Sequence, residues 1–327
     1  MAAPRFDVVT VGSITLFDHL LATGPALPRA GETALLDLEG GATFDGGCGM
    51  NQAMALATLG VPVATAMVCG EDFRGSGYAA RAAAAGVDVS AVEMLAEGSG
   101  HCYLIFDDEG RTICICENGA SRRQGGRRPP QGLLAETRAA ILNIPFDAYA
   151  SAAAGIAAAA GAMVVASGQL LTAEPAVQRQ VLGHCTHISC NWPELEGLLE
   201  AQGLDRGELL AGLRGAWVTA GGEGVDVLFP DGGQERVPAL PVECLVDPTG
   251  AGDAFVATAT AATVAGCDPV AAARLGSTVA SFVVEREGAQ TNLPTPERLA
   301  ERYRGAFGAE PPALLPGSPG GRRPRVS

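Results

Sequence analysis

Residues 247–255 read DPTGAGDAF, and this stretch indicates how the chain folds and where its chemistry lies. The apolar run at 244–246 predicts a strand, the glycines predict a tight turn, and a helix is expected from about Gly252. Small residues in such a turn let backbone N–H groups converge at the positive end of a helix, which makes an anion hole. Asp253, in the first helical turn, can accept the proton of an attacking hydroxyl group. A capped helix start is the alternative interpretation, because aspartate is favoured there anyway.

The alternation of strands and helices extends along the chain on both sides of this stretch. Short apolar runs predict strands, and longer runs ended by glycines predict helices. Strands are predicted at 7–14, 63–68, 163–166, 184–190 and 216–219, helices at 50–59, 78–85, 269–285 and 296–307, and β-hairpins at 101–116 and 225–237. Residues 148–166 are mostly alanine and glycine, which favours a helix running into a strand over a membrane span. Strands alternating with helices indicate an α/β fold with a mainly parallel sheet covered on both faces.

The composition excludes several classes of protein. A net charge of −14 over 327 residues repels phosphate backbones and anionic lipids, so neither nucleic acid nor a membrane is an expected partner. The chain contains no lysine, which rules out a Walker A loop, the protein-kinase fold and pyridoxal chemistry. Nine cysteines, an odd number with no CxxC pair, favour a reducing cytoplasm over a disulfide framework. We therefore expect a cytoplasmic protein that acts on a small molecule.

Further short motifs accompany DPTGAGDAF in a fixed order. They are GGCGMNQA at 46–53, CGEDFRG at 69–75, NWPE at 191–194, TAGGEG at 219–224 and GAQ at 288–290. Together these motifs resemble the signatures of the ribokinase-like (PfkB) carbohydrate kinase family, and the similarity covers about residues 6–307. The resemblance implies a doubly wound, mainly parallel α/β kinase domain over 1–308 with a small β-sheet lid, formed by about 14–45 and 99–118. Residues 309–327 are predicted to be a disordered tail.

The resemblance also implies an ATP-dependent phosphotransferase with an alcohol group as acceptor, and it assigns roles to particular residues. The base would be Asp253, in an anion hole formed by Gly250, Ala251 and Gly252. ATP would be bound by Asn191, Glu194, Thr219, Gly221 and Gly224. Mg²⁺ would be organised, through water, by Glu194. The acceptor's hydroxyls would be held by Asp18, Gly46, Gly47 and Asn51. A monovalent cation, K⁺, would be bound by Asp247, Thr249, Val283, Arg286, Gly288 and Asn292. Lids of this kind often mediate dimerisation, so a homodimer through the lid is expected.

Departures from the family pattern bear on the identity of the acceptor. Cys48 stands where ribokinases have a lysine beside the sugar, and Gly168 lies where they have a glutamate that contacts the substrate. Only residues 169–190 separate Gly168 from Asn191, which predicts that a strand–helix unit is missing or strongly shortened. A pocket without those two charges is not expected to favour ribose itself.

Three readings follow for the function. The leading hypothesis is a kinase for a sugar, cyclitol or related polyol, and the alternative is a nucleoside (adenosine-like) kinase, which residues 280–294 resemble. From another class comes a catalytically impaired ligand-binding or regulatory protein with the same fold, against which the intact Asp253 argues. A dinucleotide dehydrogenase needs G-x-G-x-x-G after its first strand, and residues 12–15 do not supply it.

Overall fold

The computed structural model describes residues 5–22, 26–29, 33, 41–108 and 112–314. Parts of three predicted segments therefore lie outside the described residues. These are most of 23–40 in the first lid segment, 109–111 in the second lid segment and 315–327 in the predicted tail. Residues 309–314 carry neither helix nor strand.

The described residues form strands and helices that we number in chain order. The strands are β1 (Phe6–Val11), β2 (Phe17–Ala22), β3 (Ala42–Asp45), β4 (Val63–Ala66), β5 (Val68–Gly70), β6 (Val87–Asp88), β7 (Glu93–Leu95), β8 (Ser99–Phe106), β9 (Thr112–Gly119), β10 (Thr137–Leu142), β11 (Met163–Ser167), β12 (His187–Asn191), β13 (Gly215–Thr219), β14 (Val225–Leu228) and β15 (Gln234–Val237). The helices are α1 (Cys48–Thr58), α2 (Asp72–Gly75), α3 (Tyr78–Ala85), α4 (Gln131–Ala135), α5 (Ala148–Ala159), α6 (Pro175–Leu182), α7 (Trp192–Gln202), α8 (Arg206–Ala211), α9 (Ala251–Val264), α10 (Pro269–Val283) and α11 (Pro296–Phe307).

One large sheet organises the molecule, with the strand order β15-β14-β13-β12-β11-β10-β1-β4-β6. In this order, every neighbouring pair from β13 through β6 is parallel. The β13–β14 and β14–β15 pairs at the other end of the sheet are antiparallel. The strand order reverses between β1 and β10, because the chain first moves to β4 and later returns to the other side of β1. In open α/β sheets, ligands bind outside the carboxyl ends of the strands at such a switch point. The sheet therefore indicates where a site should lie.

Helices cover both faces of the sheet, as the doubly wound prediction requires. Val8 and Val9 are fully buried neighbours in β1, yet they belong to different hydrophobic clusters. The cluster of Val8 includes residues of α1, α9, α10 and α11, whereas that of Val9 includes residues of α5, α7 and α8. Successive side chains of a strand point to opposite faces, so these clusters are the two halves of the core. No helix in the described ranges is long and apolar enough to cross a membrane.

A second sheet lies apart from the first and has the order β3-β2-β8-β9. The β2–β8 pair is parallel, and the β2–β3 and β8–β9 pairs are antiparallel. This four-stranded sheet is the small lid expected from the resemblance, and β8 and β9 confirm the predicted hairpin at 101–116. The tip of that hairpin, residues 109–111, lies outside the described residues.

The structure corrects the sequence predictions at three places. Residues 244–246 are not a strand but an irregular segment, in which Leu245 remains 67% exposed. β10 was not predicted, because its short, small-residue sequence TRAAIL is buried with no alternation. The short segment at 169–190 leaves no gap in the sheet. It contains one helix, α6, and β11 pairs directly with β12. The expectation of a missing unit is therefore not supported.

Close packing of α9 on α10 gives a test of the fold. A β-carbon at Gly276 would lie 2.7 Å from both the ring and the carbonyl oxygen of Phe255. We expect Gly276→Ala to lower the free energy of unfolding by about 1–3 kcal/mol, the usual cost of overpacking. Gly305 in α11 is exposed and has no atoms near its β-carbon position. The matched variant Gly305→Ala should raise stability by about 0.5–1 kcal/mol, because alanine is the better helix former. If urea denaturation shows the same change in unfolding free energy for Gly276→Ala and Gly305→Ala, this packing is contradicted.

Candidate active site

The turn before α9 is built so that only glycine fits its first position. Gly250 has φ of +78°, and a β-carbon there would overlap the side chain of Ala289. Gly252, by contrast, has open space around its β-carbon position. The first N–H groups of a helix have no intrahelical partners, and they lie at the positive end of its dipole. The N–H group of Ala251 donates to the carbonyl oxygen of Pro248, at 3.2 Å, so the N–H groups of Gly250 and Gly252 are the better candidates for the predicted anion hole.

Asp253 is held in place by a chain of hydrogen bonds. Its Oδ2 accepts a hydrogen bond of 2.9 Å from Nδ2 of Asn51, which is carried on α1. Oδ1 of Asn51 accepts in turn from Nε2 of Gln290, at 2.8 Å, and the same amide donates to the hydroxyl of Tyr78. The Tyr78 hydroxyl donates to the carbonyl oxygen of Gly46, at 3.0 Å. The predicted base and two predicted acceptor residues thus belong to one connected network.

Two carboxyl groups in this region have raised pKa values. Burial raises the pKa of Asp253 to about 7, against the opposing effect of hydrogen bonds from Asn51 and Gln52. Burial, together with the negative charges of Asp253 and Asp247, also raises the pKa of Asp18 to about 7. A pKa near 7 suits a general base that must accept and release a proton at neutral pH. The negative charge of Asp253 contributes to the raised pKa of Asp18, so protonation of one carboxyl group affects the other.

A cavity of about 440 Å³ opens at the switch point of the large sheet, in front of Asp253. Its volume lies within the range of about 300–1,000 Å³ typical of small-molecule sites. It is lined by Cys48, Ile144, Ser167, Gly168, Gln169, Ser189, Cys190, Asn191, Glu194, Thr219, Pro248, Gly250, Gly252 and Asp253. The structure therefore brings the predicted base and anion hole together with three of the predicted nucleotide residues. Gly221 and Gly224 are not among the lining residues.

The predicted nucleotide side of the cavity is formed by the ends of two neighbouring strands. Asn191 ends β12 and lies beside Thr219, which ends β13. Asn191 and Glu194 form a capping box at the start of α7, with hydrogen bonds of 2.8 and 3.0 Å. The second carboxylate oxygen of Glu194 accepts from the backbone of Gln169, at 3.2 Å. Gly224 has φ of +100°, and a β-carbon there would overlap the carbonyl oxygen of Val237.

On the predicted acceptor side, the structure leaves no room for a side chain at residues 46 and 47, where the sequence has two glycines. A β-carbon at Gly46 would overlap the carboxylate of Asp18, which is buried on β2. Gly47 has φ of +90°, and a β-carbon there would overlap the carbonyl oxygen of Thr15. These contacts bring the lid strand β2 directly onto the start of α1, so that Asp18 lies near the active site.

The residues predicted to bind a monovalent cation come from two loops that Asp247 joins. Its carboxylate oxygens accept hydrogen bonds of 2.9 Å from the backbone N–H groups of Thr249 and Gly288. The side chain of Asn292 is engaged elsewhere, since it donates to the carbonyl oxygen of Phe282 and accepts from Arg298. The backbone groups at Asp247, Thr249, Val283 and Arg286 are therefore the better candidates for ligands.

The sequence reading missed a buried amide pair beneath the site. Gln52 and Asn143 exchange two hydrogen bonds, of 2.6 and 2.9 Å, and Gln52 also donates to the hydroxyl of Ser167 at 3.2 Å. Asn143 directly follows the unpredicted strand β10, at the switch point. Gln52 lies inside the motif at 46–53, and that proximity was the signal available from the sequence.

Comparison with known proteins decides the family. A family model described as pfkB family carbohydrate kinase matches residues 8–296, which begin within β1 and include the whole site. The chain belongs to this family. The doubly wound fold and the lid that the resemblance implied are therefore confirmed, and the protein is a kinase of the pfkB family.

Relatives of this kinase act on more than one kind of acceptor. A nucleoside kinase of Methanothermobacter thermautotrophicus is 27% identical over 313 residues, which cover 94% of this chain and 98% of that protein. The ribokinase of Bacillus subtilis is 28% identical over 309 residues, covering 90% and 98%. Among solved structures, the Burkholderia thailandensis nucleoside kinase in complex with ADP-inosine has a TM-score of 0.81 and 24% identity, and it covers 95% of this chain and 99% of that one. This structural likeness shows the fold.

The proximity of two carboxyl groups with pKa values near 7 gives a prediction about pH. A base must be ionised, so kcat/KM of this kinase should rise as pH rises through about 7, the pKa of Asp253. Asp18→Asn removes a neighbouring negative charge, so the pKa of Asp253 should fall and this rise should move to lower pH. Asp231→Asn, in an exposed turn, is the matched control and should leave the profile in place. An unmoved profile in Asp18→Asn would show that the two carboxyl groups do not interact.

Proposed function

We propose that this protein transfers the terminal phosphoryl group of ATP to a hydroxyl group of a small, sugar-containing acceptor. The observation that carries the proposal is the position of Asp253. Its carboxylate lies in the first turn of α9, faces the cavity beside the anion hole and accepts a hydrogen bond from Asn51. Phosphoryl transfer depends mostly on positioning and on stabilising negative charge, and this arrangement supplies both.

The proposed reaction has a balanced set of bond changes. Asp253 accepts the proton of the acceptor hydroxyl as its oxygen forms a bond to the terminal phosphorus, and the bond from that phosphorus to the ADP oxygen breaks. Asn51 keeps the carboxylate oriented, and its amide is fixed by Gln290. The N–H groups of Gly250 and Gly252 bind the developing negative charge. Because Asp253 is partly buried, bulk water competes little for its proton.

The groups on the other side of the cavity fit a nucleotide with a hard divalent cation. Glu194 and Asn191 present carboxylate and amide oxygens there, the ligand type that Mg²⁺ prefers directly or through water. Mg²⁺ bound between these residues and the phosphates would neutralise charge on the transferring group. Thr219, Gly221 and Gly224 would pack against the rest of the nucleotide. The backbone groups around Asp247 and Thr249 would hold K⁺ beside the anion hole.

The acceptor side favours a neutral molecule. Burial raises the pKa of the Cys48 thiol well above its ordinary value, so the cavity wall at this position is uncharged. Gly168 lines the same cavity, but its β-carbon position lies 4.0 Å from Oε1 of Glu194, on the predicted nucleotide side. The uncharged wall at Cys48 suits a sugar that carries a bulky neutral substituent, and two of the curated relatives are nucleoside kinases. We therefore propose a nucleoside as the favoured acceptor, and a sugar, cyclitol or related polyol as the alternative.

The outer face of the lid supports the proposal of a homodimer. Tyr103 and Ile115 are cross-strand neighbours on β8 and β9, and they are 37% and 54% exposed. Paired apolar side chains on an exposed sheet face are common at contacts between protein copies. A cytoplasmic location remains the expectation from the cysteine content.

The role of Asp253 can be tested by one isosteric substitution. Asp253→Asn keeps an oxygen that can accept from Asn51 but removes the basic group. We expect kcat to fall by at least about 10²-fold, the lower end for a positioned base, while ATP binding measured by calorimetry persists. Turnover close to that of the unaltered protein would remove Asp253 from the base role. Acceptor and ATP binding without any turnover by the unaltered protein would favour the regulatory alternative.

The acceptor can be tested with a panel of sugars, cyclitols and nucleosides. Sites reject ligands chiefly by leaving buried polar groups unpaired, and a site without the expected charges loses its preference for a small free sugar. We expect kcat/KM for ribose to be at least about 10²-fold below that of the best acceptor, which we expect to be a nucleoside. Ribose as the best acceptor would show that Cys48 and Gly168 do not set specificity.

A further inference from the structure

Three cysteines of the lid lie on one face of its sheet. Cys102 on β8 is paired in register with Asp18 on β2 and with Cys116 on β9. Residues directly opposite each other in a sheet have side chains on the same face, so Asp18, Cys102 and Cys116 form a row across the lid. Cys114 lies two residues before Cys116 and therefore points to that face as well. The row continues on β3 with Phe44, whose ring packs 2.5 Å from the β-carbon position at Gly288, so this face is turned toward the active site.

The three sulfur atoms are close enough to share one ion. Cys102 and Cys114 are 3.3 Å apart, Cys102 and Cys116 are 3.3 Å apart, and Cys114 and Cys116 are 3.7 Å apart. In a tetrahedral zinc site with Zn–S bonds of about 2.3 Å, sulfur atoms lie about 3.8 Å from each other. All three cysteines are free thiols. A cation between them would therefore require movements of only a few tenths of an ångström.

We propose that the inner face of the lid binds one thiophilic cation, Zn²⁺ or Cu⁺, through Cys102, Cys114 and Cys116. Thiolates select such soft cations over Mg²⁺ and K⁺, which prefer oxygen ligands. Each thiol loses its proton when its sulfur binds the metal, so binding releases protons to solvent. Three protein ligands leave one coordination position open for water or for another donor.

The position of this site has a consequence for the reaction, and this part of the inference rests on the proposed function. Asp18, in the same row as Cys102, is the residue assigned to the acceptor's hydroxyls. A cation and its fourth ligand would occupy space next to Asp18 on the face that the acceptor must approach. Occupancy should therefore weaken acceptor binding and leave nucleotide binding, on the other side of the cavity, unchanged.

Metal binding is tested first, without any reference to activity. The reduced, metal-free protein is titrated with Co²⁺, whose bonds to thiolates give a near-ultraviolet charge-transfer band, and then with Zn²⁺, which should displace it at a ratio of one ion per chain. Cys114 and Cys116 are exposed, so Cys114→Ser and Cys116→Ser should fold normally. Each variant should lower metal affinity by at least about 100-fold, the upper end for loss of a supporting group. The matched control Cys244→Ser removes another exposed thiol and should bind as the unaltered protein does.

Several results would overturn the metal site. One is a metal affinity that is unchanged in Cys114→Ser and Cys116→Ser. Another is a loss of metal affinity in Cys244→Ser as large as in those variants, and a third is the absence of a Co²⁺–thiolate band. A reduced protein that binds no metal but forms a disulfide between these cysteines in air would also reject it. In the kinetic arm, Zn²⁺ should raise KM for the acceptor and leave KM for ATP in place, and Cys116→Ser should abolish this effect. If binding occurs and the protein has no kinase activity, the proposed function fails and the metal site stands.

Discussion

The hydrogen bond from Asn51 to Asp253 joins the parts of this molecule on which its chemistry depends. It links α1 to α9 across 202 positions of the sequence, and Gln290, 239 positions after Asn51, extends it to the loop after α10. These three elements are packed on the same face of the large sheet, and their ends meet at its switch point. The bond thus fixes the orientation of the base and offsets part of the increase in its pKa that burial causes.

Close approaches of backbone to side chain then place the remaining groups around this bond. Gly46 lets the carboxylate of Asp18 lie against the start of α1, and Gly250 lets the turn before α9 pack on Ala289. Gly288 in turn accommodates the ring of Phe44 from the lid. A side chain at any of these glycines would separate the lid, the anion hole and the base. The short motifs therefore reflect packing of the site as much as direct contact with ligands.

Much of the fold could be predicted from the sequence, because local patterns determine long elements. α3 and α11 have the predicted bounds, and α1 begins only two residues earlier than expected. β10 was missed because alanine-rich residues buried on both faces give neither alternation nor a strongly apolar run. Residues 244–246 were wrongly predicted as a strand, since an apolar run alone does not reveal that no neighbouring strand pairs with it.

The candidate site was predicted less completely, for a related reason. The motifs identified Asp253 and Asn51 separately, but nothing local in the sequence shows that one donates to the other. The pair formed by Gln52 and Asn143 depends on a contact between residues 91 positions apart, and the three lid cysteines are brought together by strand register. Such contacts are properties of the tertiary structure, and residue type alone does not disclose them.

A double-mutant cycle on Asn51 and Asp253 tests this account most directly. The variants Asn51→Leu, Asp253→Asn and their combination are compared by kcat at saturating ATP and acceptor. If Asn51 acts by positioning and tuning the base, its loss should matter little once the base is gone, so the double variant should retain far more activity than the product of the two single effects predicts. Independent, multiplicative losses would contradict the account, because they would mean that Asn51 and Asp253 contribute to the reaction separately.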